Sequence, residues 1–180
     1  NKKEGEISMW KKWCLLLLLC FELGACALEA SPEEVFDSAL TNIEEKMDLK
    51  TQVTLKGKDD QTIINVQTQY IFDGGWDVQF SNPTPLNDNE NFKRLCRMNF
   101  LSNSFTNFKM KDVEGKKRVT CDIVEKAHQH YQEIFKPYLT AQLEGVRLEI
   151  TVADDDILES AYLTLTSLNE TLYIEIERLN

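Results

Sequence analysis

The sequence predicts an α+β domain in which a curved antiparallel sheet of about eight strands carries three helices on its apolar face. Three observations lead there. Period-two alternation of apolar and polar residues recurs in segments such as "QTIINVQTQYIF". Short turn signals separate consecutive alternating segments, so neighbours in sequence pair as hairpins. Three other stretches carry apolar residues at helical spacing. The order is helix, three strands, helix, two strands, helix, three strands, with no internal repeat.

The first helix is expected over 32–47. "SPEEVFDSALTNIEEKM" opens with Ser31 as N-cap, Pro32 at the first helical position and Glu34 three residues after the serine. Val35, Ala39, Leu40 and Ile43 then form one apolar face. "QVTLKGK" leads through Asp59 and Asp60 into a strand that puts Ile64, Val66, Thr68, Tyr70 and Phe72 on one side and Asn65, Gln67 and Gln69 on the other. Gly74 and Gly75 are expected to turn the chain into "WDVQFSN", with Trp76, Val78 and Phe80 inward. "NPTPLNDNEN" reads as a surface loop, because two prolines and several asparagines do not continue a sheet.

A second helix is predicted near 88–102, with Phe92, Leu95, Cys96 and Phe100 on its apolar side. "NFKMKDVEGKKRVTCDI" reads as a hairpin turning at Glu114 and Gly115, with Val119, Cys121 and Ile123 inward. The third helix is expected from about Val124 to Leu143, kinked or split at Pro137. Its inner stripe is Ala127, Tyr131, Ile134, Phe135, Tyr138 and Leu139. "VRLEITVA", "LESAYLTLTS" and "TLYIEIERL" close the chain as strands, with turns at Asp154–Asp156 and Asn169.

Ahead of this domain stands "KKWCLLLLLCFELGAC". Two lysines, a short uncharged run from Trp13 to Phe21 and small residues near the end have the form of a secretory signal. The run is too short for a bilayer core that needs about 20 helical residues. Met9 is the expected initiator and Asn1–Ser8 an upstream extension, so residues 1–25 are read as extension and signal peptide. "LGAC" resembles a bacterial lipobox, which implies that Cys26 takes diacylglycerol, whose two acyl chains, palmitate among them, anchor the protein. Cleavage after Ala27, giving a freely secreted protein, is the alternative. Both place the domain outside the cytoplasm, and residues 26–31 form a short tether to a single domain over 32–180.

The chain has 180 residues and a net charge of −10. From Cys26 onward 16 basic residues face 27 acidic ones, a net −11. A surface of that charge repels nucleic acid and anionic lipid headgroups, so no nucleic-acid partner is expected. A membrane-side domain would depend on its lipid for attachment. Cys96 and Cys121 are the cysteines left in the domain: either a disulfide in an oxidising compartment or two buried thiols.

No nucleophile-elbow, phosphate-loop, zinc-protease or dinucleotide motif occurs, so no enzyme activity, cofactor or metal is expected. His128 and His130, two apart on a predicted helix, point in different directions and do not chelate one metal together. Asp154–Asp156 lacks the alternating ligands and glycine bend of a calcium loop and reads as a solvated turn.

"FKMKDVEGKKRVTCDIV", "YQEIFKPYL" and "EGVRLEITVADDDILESAYLTLT", behind a signal and candidate lipobox, resemble the LolA-like superfamily. That superfamily includes the periplasmic lipoprotein carriers and the LppX/LprG-type lipid-binding lipoproteins. The likeness is nearest to small uncharacterised lipoproteins of Gram-positive bacteria, and it lies in element order over 31–180. The resemblance implies a half-barrel sheet around helices and a hydrophobic ligand between them. The liners it implies are Tyr70, Trp76 and Phe80 of the sheet, facing Tyr131 and Phe135 of the third helix. The alternative is that these aromatics fill the core of a protein–protein interaction module of inhibitor-like or cystatin/NTF2-like type, with no ligand cavity.

Overall fold

The computed structural model describes residues 29–43, 47–72, 76–100, 104–153 and 156–179, with only the backbone of Ile71, Phe72, Trp76 and Asp77. Two compact units result, Asn1–Ser31 and Pro32–Asn180. The leader and Cys26 lie outside the described residues, as do the Gly74–Gly75 turn and Asp154–Asp155. No helix among the described residues is long and apolar enough to cross a membrane.

In the second unit the elements run α1 (Pro32–Thr41), β1 (Leu49–Gly57), β2 (Thr62–Phe72), β3 (Trp76–Phe80), α2 (Glu90–Cys96), β4 (Phe105–Val113) and β5 (Lys116–Ile123). A 3₁₀ turn (Glu125–Ala127) leads into α3 (His128–Ile134), followed by β6 (Leu143–Val152), β7 (Leu158–Ser167) and β8 (Glu170–Arg178). This is the element order expected from the alternation and turn signals. The strands form one open eight-stranded antiparallel sheet in the order β3-β2-β1-β8-β7-β6-β5-β4. Antiparallel pairing of consecutive strands builds β1–β3 and β4–β8 as two halves, with α3 in the connection from β5 to β6. The first and last strands, β1 and β8, join them through an unbroken register from Leu49↔Arg178 to Gly57↔Glu170.

Alternation decides which face is dry. Along β1, β8 and β7 the inward residues Val53, Leu55, Leu172, Ile174, Leu163 and Leu165 are buried, while Gln52, Glu175 and Tyr162 stand on the other side. The inward positions expected on β2 are also found, with Val66, Thr68 and Tyr70 buried. Helix α2 packs against β1, α3 against β6 and α1 against β4 and β5. At the free edge Phe36 of α1 meets Phe105 and Phe108 of β4 edge-on, with centroids 4.8 and 5.2 Å apart.

The β4–β5 connection is the expected two-residue turn. Glu114 and Gly115 have φ of 54° and 79°, the left-handed pair that matches the twist of a tight hairpin.

All three helices are shorter than their apolar spacing predicts. Helix α1 ends at Thr41, whose hydroxyl donates back to the Asp37 carbonyl at 2.8 Å; Ile43 and Met47 are not helical. Helix α2 ends at Cys96 in a Schellman closure, with Met98 N–H donating to Leu95 O at 2.9 Å and Asn99 N–H to Arg94 O at 3.1 Å. The left-handed position belongs to Met98 (φ 56°), a residue that gives no stop signal in sequence. Helix α3 ends at Ile134, before the Lys136–Pro137 step that disfavours helical backbone. Phe100 and Leu139 are buried all the same, because the loops after the helices also cover the sheet.

Cys96 and Cys121 are free, buried thiols. The first lies over β2, with Sγ 3.7 Å from Thr68 Oγ1, and the second points inward on β5, five places away in the strand order. Burial pushes the two thiols up to about 11 and about 12 respectively.

The β1–β8 seam sets a stability test. Ile174→Ala, at a fully buried position, is expected to lower the unfolding free energy by about 2–5 kcal/mol in urea titration. Ile63→Ala, half-exposed on β2, is expected to change it by no more than about 0.5 kcal/mol.

Candidate functional site

Two backbone irregularities lie near one end of β4–β7. Strand β4 bulges between Thr106 and Lys109, and Asn107 takes a left-handed φ of 56°, which asparagine tolerates better than most residues. Strand β6 breaks register between Leu143 and Gly145. A bulge inserts an unpaired residue and re-aims a side chain. Here the two bulges flank the end of β5, where Asp122 sits.

Asn107 Nδ2 donates to Asp122 Oδ2 at 3.1 Å, and Arg147 Nε of β6 donates to Oδ1 at 3.1 Å. Partial burial pushes the Asp122 carboxyl up, but the bonds from Asn107 and Arg147 outweigh it, aided by the charges of Arg147 and Lys109, and hold it below its ordinary value. At neutral pH Asp122 is therefore a fixed carboxylate with both oxygens engaged.

This pair lies in an open groove of about 610 Å³. Thr164 and Thr166 of β7 add hydroxyls, and Glu125, Glu144 and His128 form the rest of its polar rim. A second open groove of about 760 Å³ shares Glu125 and His128 and continues along α3 to the loop before β6. That loop is pinned in place. Gln132 of α3 donates to Ala141 O at 3.2 Å and accepts from Leu143 N–H at 2.9 Å. Thr140 donates through its N–H and hydroxyl to Glu170, at 3.0 and 2.8 Å.

His128 and His130 diverge as expected. His128 Nε2 donates to Ile123 O at 3.0 Å at the rim of the grooves. His130 faces the opposite side, in a recess of about 60 Å³ that also holds Arg94, and burial followed by the Arg94 charge pushes its pKa down. Among the described residues no group of three or more His, Cys, Asp or Glu is placed to hold a metal ion.

The aromatics named from the sequence lie elsewhere, within the packed core. Tyr70, Tyr131 and Phe135 are buried to within 1% and Phe80 is partly buried. Phe92 of α2 bridges the set, 6.1 Å from Phe80 and 5.8 Å edge-on from Phe135. The Arg97 guanidinium lies over the Tyr70 ring at 5.5 Å, and burial pushes the Tyr70 phenol up to about 12. The Trp76 side chain lies outside the described residues. None of these aromatics lines either large groove.

Sequence reasoning missed the groove. "TNF" and "LEGVR" carry its bulges, and the only trace was Gly145, whose added Cβ would meet open space.

The fold and the grooves define an α+β protein with an open antiparallel sheet and polar surface clefts. No protein-family model matches this chain, and comparison with curated proteins finds no match.

Asn107→Ala removes one of the two side-chain bonds that keep Asp122 ionised. Its carboxyl pKa, followed by carbon-detected NMR titration, is expected to rise relative to the parent protein. A group held below its ordinary pKa stabilises the fold above its unfolded pKa and loses that contribution as pH falls through the folded one. The variant's acid-induced loss of this contribution is therefore expected to begin at the same pH, to be complete at a higher pH and to be smaller in total.

Proposed function

We propose that this protein is a non-enzymatic binding module of the cell envelope, tethered outside the cytoplasm through a lipidated Cys26, and that it works through its surface. The observation that carries this reading is the packing of Tyr70, Tyr131 and Phe135. These rings are buried to within 1%, with Phe135 edge-on to Phe92, and they fill space that an acyl chain would need. The recess beside Tyr131 is about 60 Å³. Sites for drug-sized ligands run from about 300 Å³ upward.

The LolA-like half-barrel remains part of the proposal. An open eight-stranded sheet with helices on one face supports it. Of the two occupants weighed from sequence, a protein or polar ligand on the surface fits better than a buried lipid. The groove around Asp122 and Arg147 is open, charged and ringed with hydroxyls. Asp122 is held ionised and His128 is tied to a backbone carbonyl, an arrangement suited to recognition more than to proton transfer.

Native mass spectrometry of the body from Ala27 onward, repurified after incubation with lipid extracts of the envelope, tests the surface reading. The expected spectrum shows the bare chain mass, and a stoichiometric lipid adduct would refute the reading. The tether is tested by Cys26→Ser, expected to move the protein from the membrane fraction to the medium. Retention on the membrane would refute lipidation at Cys26.

A further inference from the structure

The chain's negative charge is unevenly spread. Residues 105–118 hold five basic residues and two acidic ones, a net +3, so the rest of the chain from Cys26 carries −14. The hairpin register sorts these charges by face. Val119 and Cys121 point inward, so Arg118 points outward, and Lys111 lies directly opposite it. Lys109, opposite Thr120, is on the same outer face, and Lys116 lies next to it at the turn. Like charges set directly across an antiparallel pair destabilise it. A chain with a surplus of acids has nonetheless placed two cations face to face across its edge hairpin.

Nearby acids offset part of this. Lys116 Nζ meets Glu159 at 2.6 Å, and Arg118 Nε lies 3.4 Å from Glu149. Asp112 shares the inward parity of Lys117, and Glu114 sits at the turn. Lys109 and Lys111 are exposed on the edge strand, with no ion pair among the described residues. The structural alternative is that these lysines only keep the edge from pairing with another strand. That role needs charge on β4; it gives no reason to set Arg118 opposite.

We propose that the outer face of β4–β5, through Lys109, Lys111, Lys116 and Arg118, docks on the anionic lipid headgroups of the membrane to which the protein is tethered. Position in the chain favours this occupant. Helix α1 covers the inner face of these same two strands and begins six residues after Cys26, a tether that reaches at most about 20 Å, longer than the roughly 10 Å between packed layers. The acidic remainder does not oppose contact, because charges more than about 8–10 Å from the surface are screened at physiological salt. The groove around Asp122 and Arg147 opens on this same outer face at the other end of the strands, so docking holds it at the membrane surface.

This inference rests on the envelope reading above, and its test uses unlipidated protein so that the two fail separately. The body from Ala27 onward, which contains every buried apolar residue described, is mixed with vesicles of phosphatidylglycerol and phosphatidylcholine, or of phosphatidylcholine alone. Sedimentation is expected to show binding to the anionic vesicles only, released in about 1 M salt, where the screening length is about 3 Å. Lys109→Glu with Lys111→Glu is expected to lower that binding about tenfold or more, while Lys126→Glu with Lys136→Glu leaves it within about twofold. Circular dichroism checks the fold, and if the first pair unfolds, Lys111→Gln is expected to weaken binding in the same direction. Equal binding to neutral vesicles, binding unaffected by salt, or equal loss in both pairs would overturn the proposal. Capture by immobilised polyglutamate with no vesicle binding would also overturn it and assign the face to an acidic protein.

Discussion

The pairing of β1 with β8 is the constraint around which the body is arranged. Each half of the sheet is assembled from local connections, but this seam joins residues more than a hundred positions apart. Closing so long a loop is entropically unfavourable until the contacts across it form. Val53, Leu55, Leu172 and Ile174 supply those contacts as buried inward positions of the two strands. With the seam in place, one apolar face runs continuously from β2 to β5.

Covering that face is harder than making it. Eight strands at their usual spacing are about 34 Å across. The helices have only ten, seven and seven residues, and a ten-residue helix is about 15 Å long. Loops therefore share the task. Leu86 before α2, Met98 and Phe100 after it and Leu139 after α3 are buried with the helical residues. Asn89 fastens two of the covers together: Oδ1 accepts from Phe92 N–H at 3.0 Å, capping α2, and Nδ2 donates to Ile134 O at 3.3 Å.

Function is read on the other surfaces. The aromatics that the resemblance assigns to a cavity are packed in the core, while bulges in β4 and β6 aim Asn107 and open the cleft around Asp122 and Arg147. The same hairpin that contributes Asp122 carries cations on its outer side toward the turn. A single pair of strands thus presents a polar cleft at one end and a basic strip at the other.

Much of the architecture is legible in the residues. Alternation in "QTIINVQTQYIF" and "TLYIEIERL" assigns strands and their dry sides, because side chains on a strand switch faces at every step. Glu114–Gly115 marks a tight turn, and the element order follows from such local signals. Helix lengths were not legible, since apolar residues continue at helical spacing into loops that also cover the sheet, and Met98 closes α2 where glycine would have announced the stop. Nor was the cleft, because a bulge depends on how two strands register, which a single strand's pattern does not encode. Sequence alone determined the count of charges and the faces of each strand. Tertiary structure decided which charges meet, setting Lys111 opposite Arg118 and Arg147 beside Asp122, because pairing across the sheet brings together residues that local spacing leaves far apart.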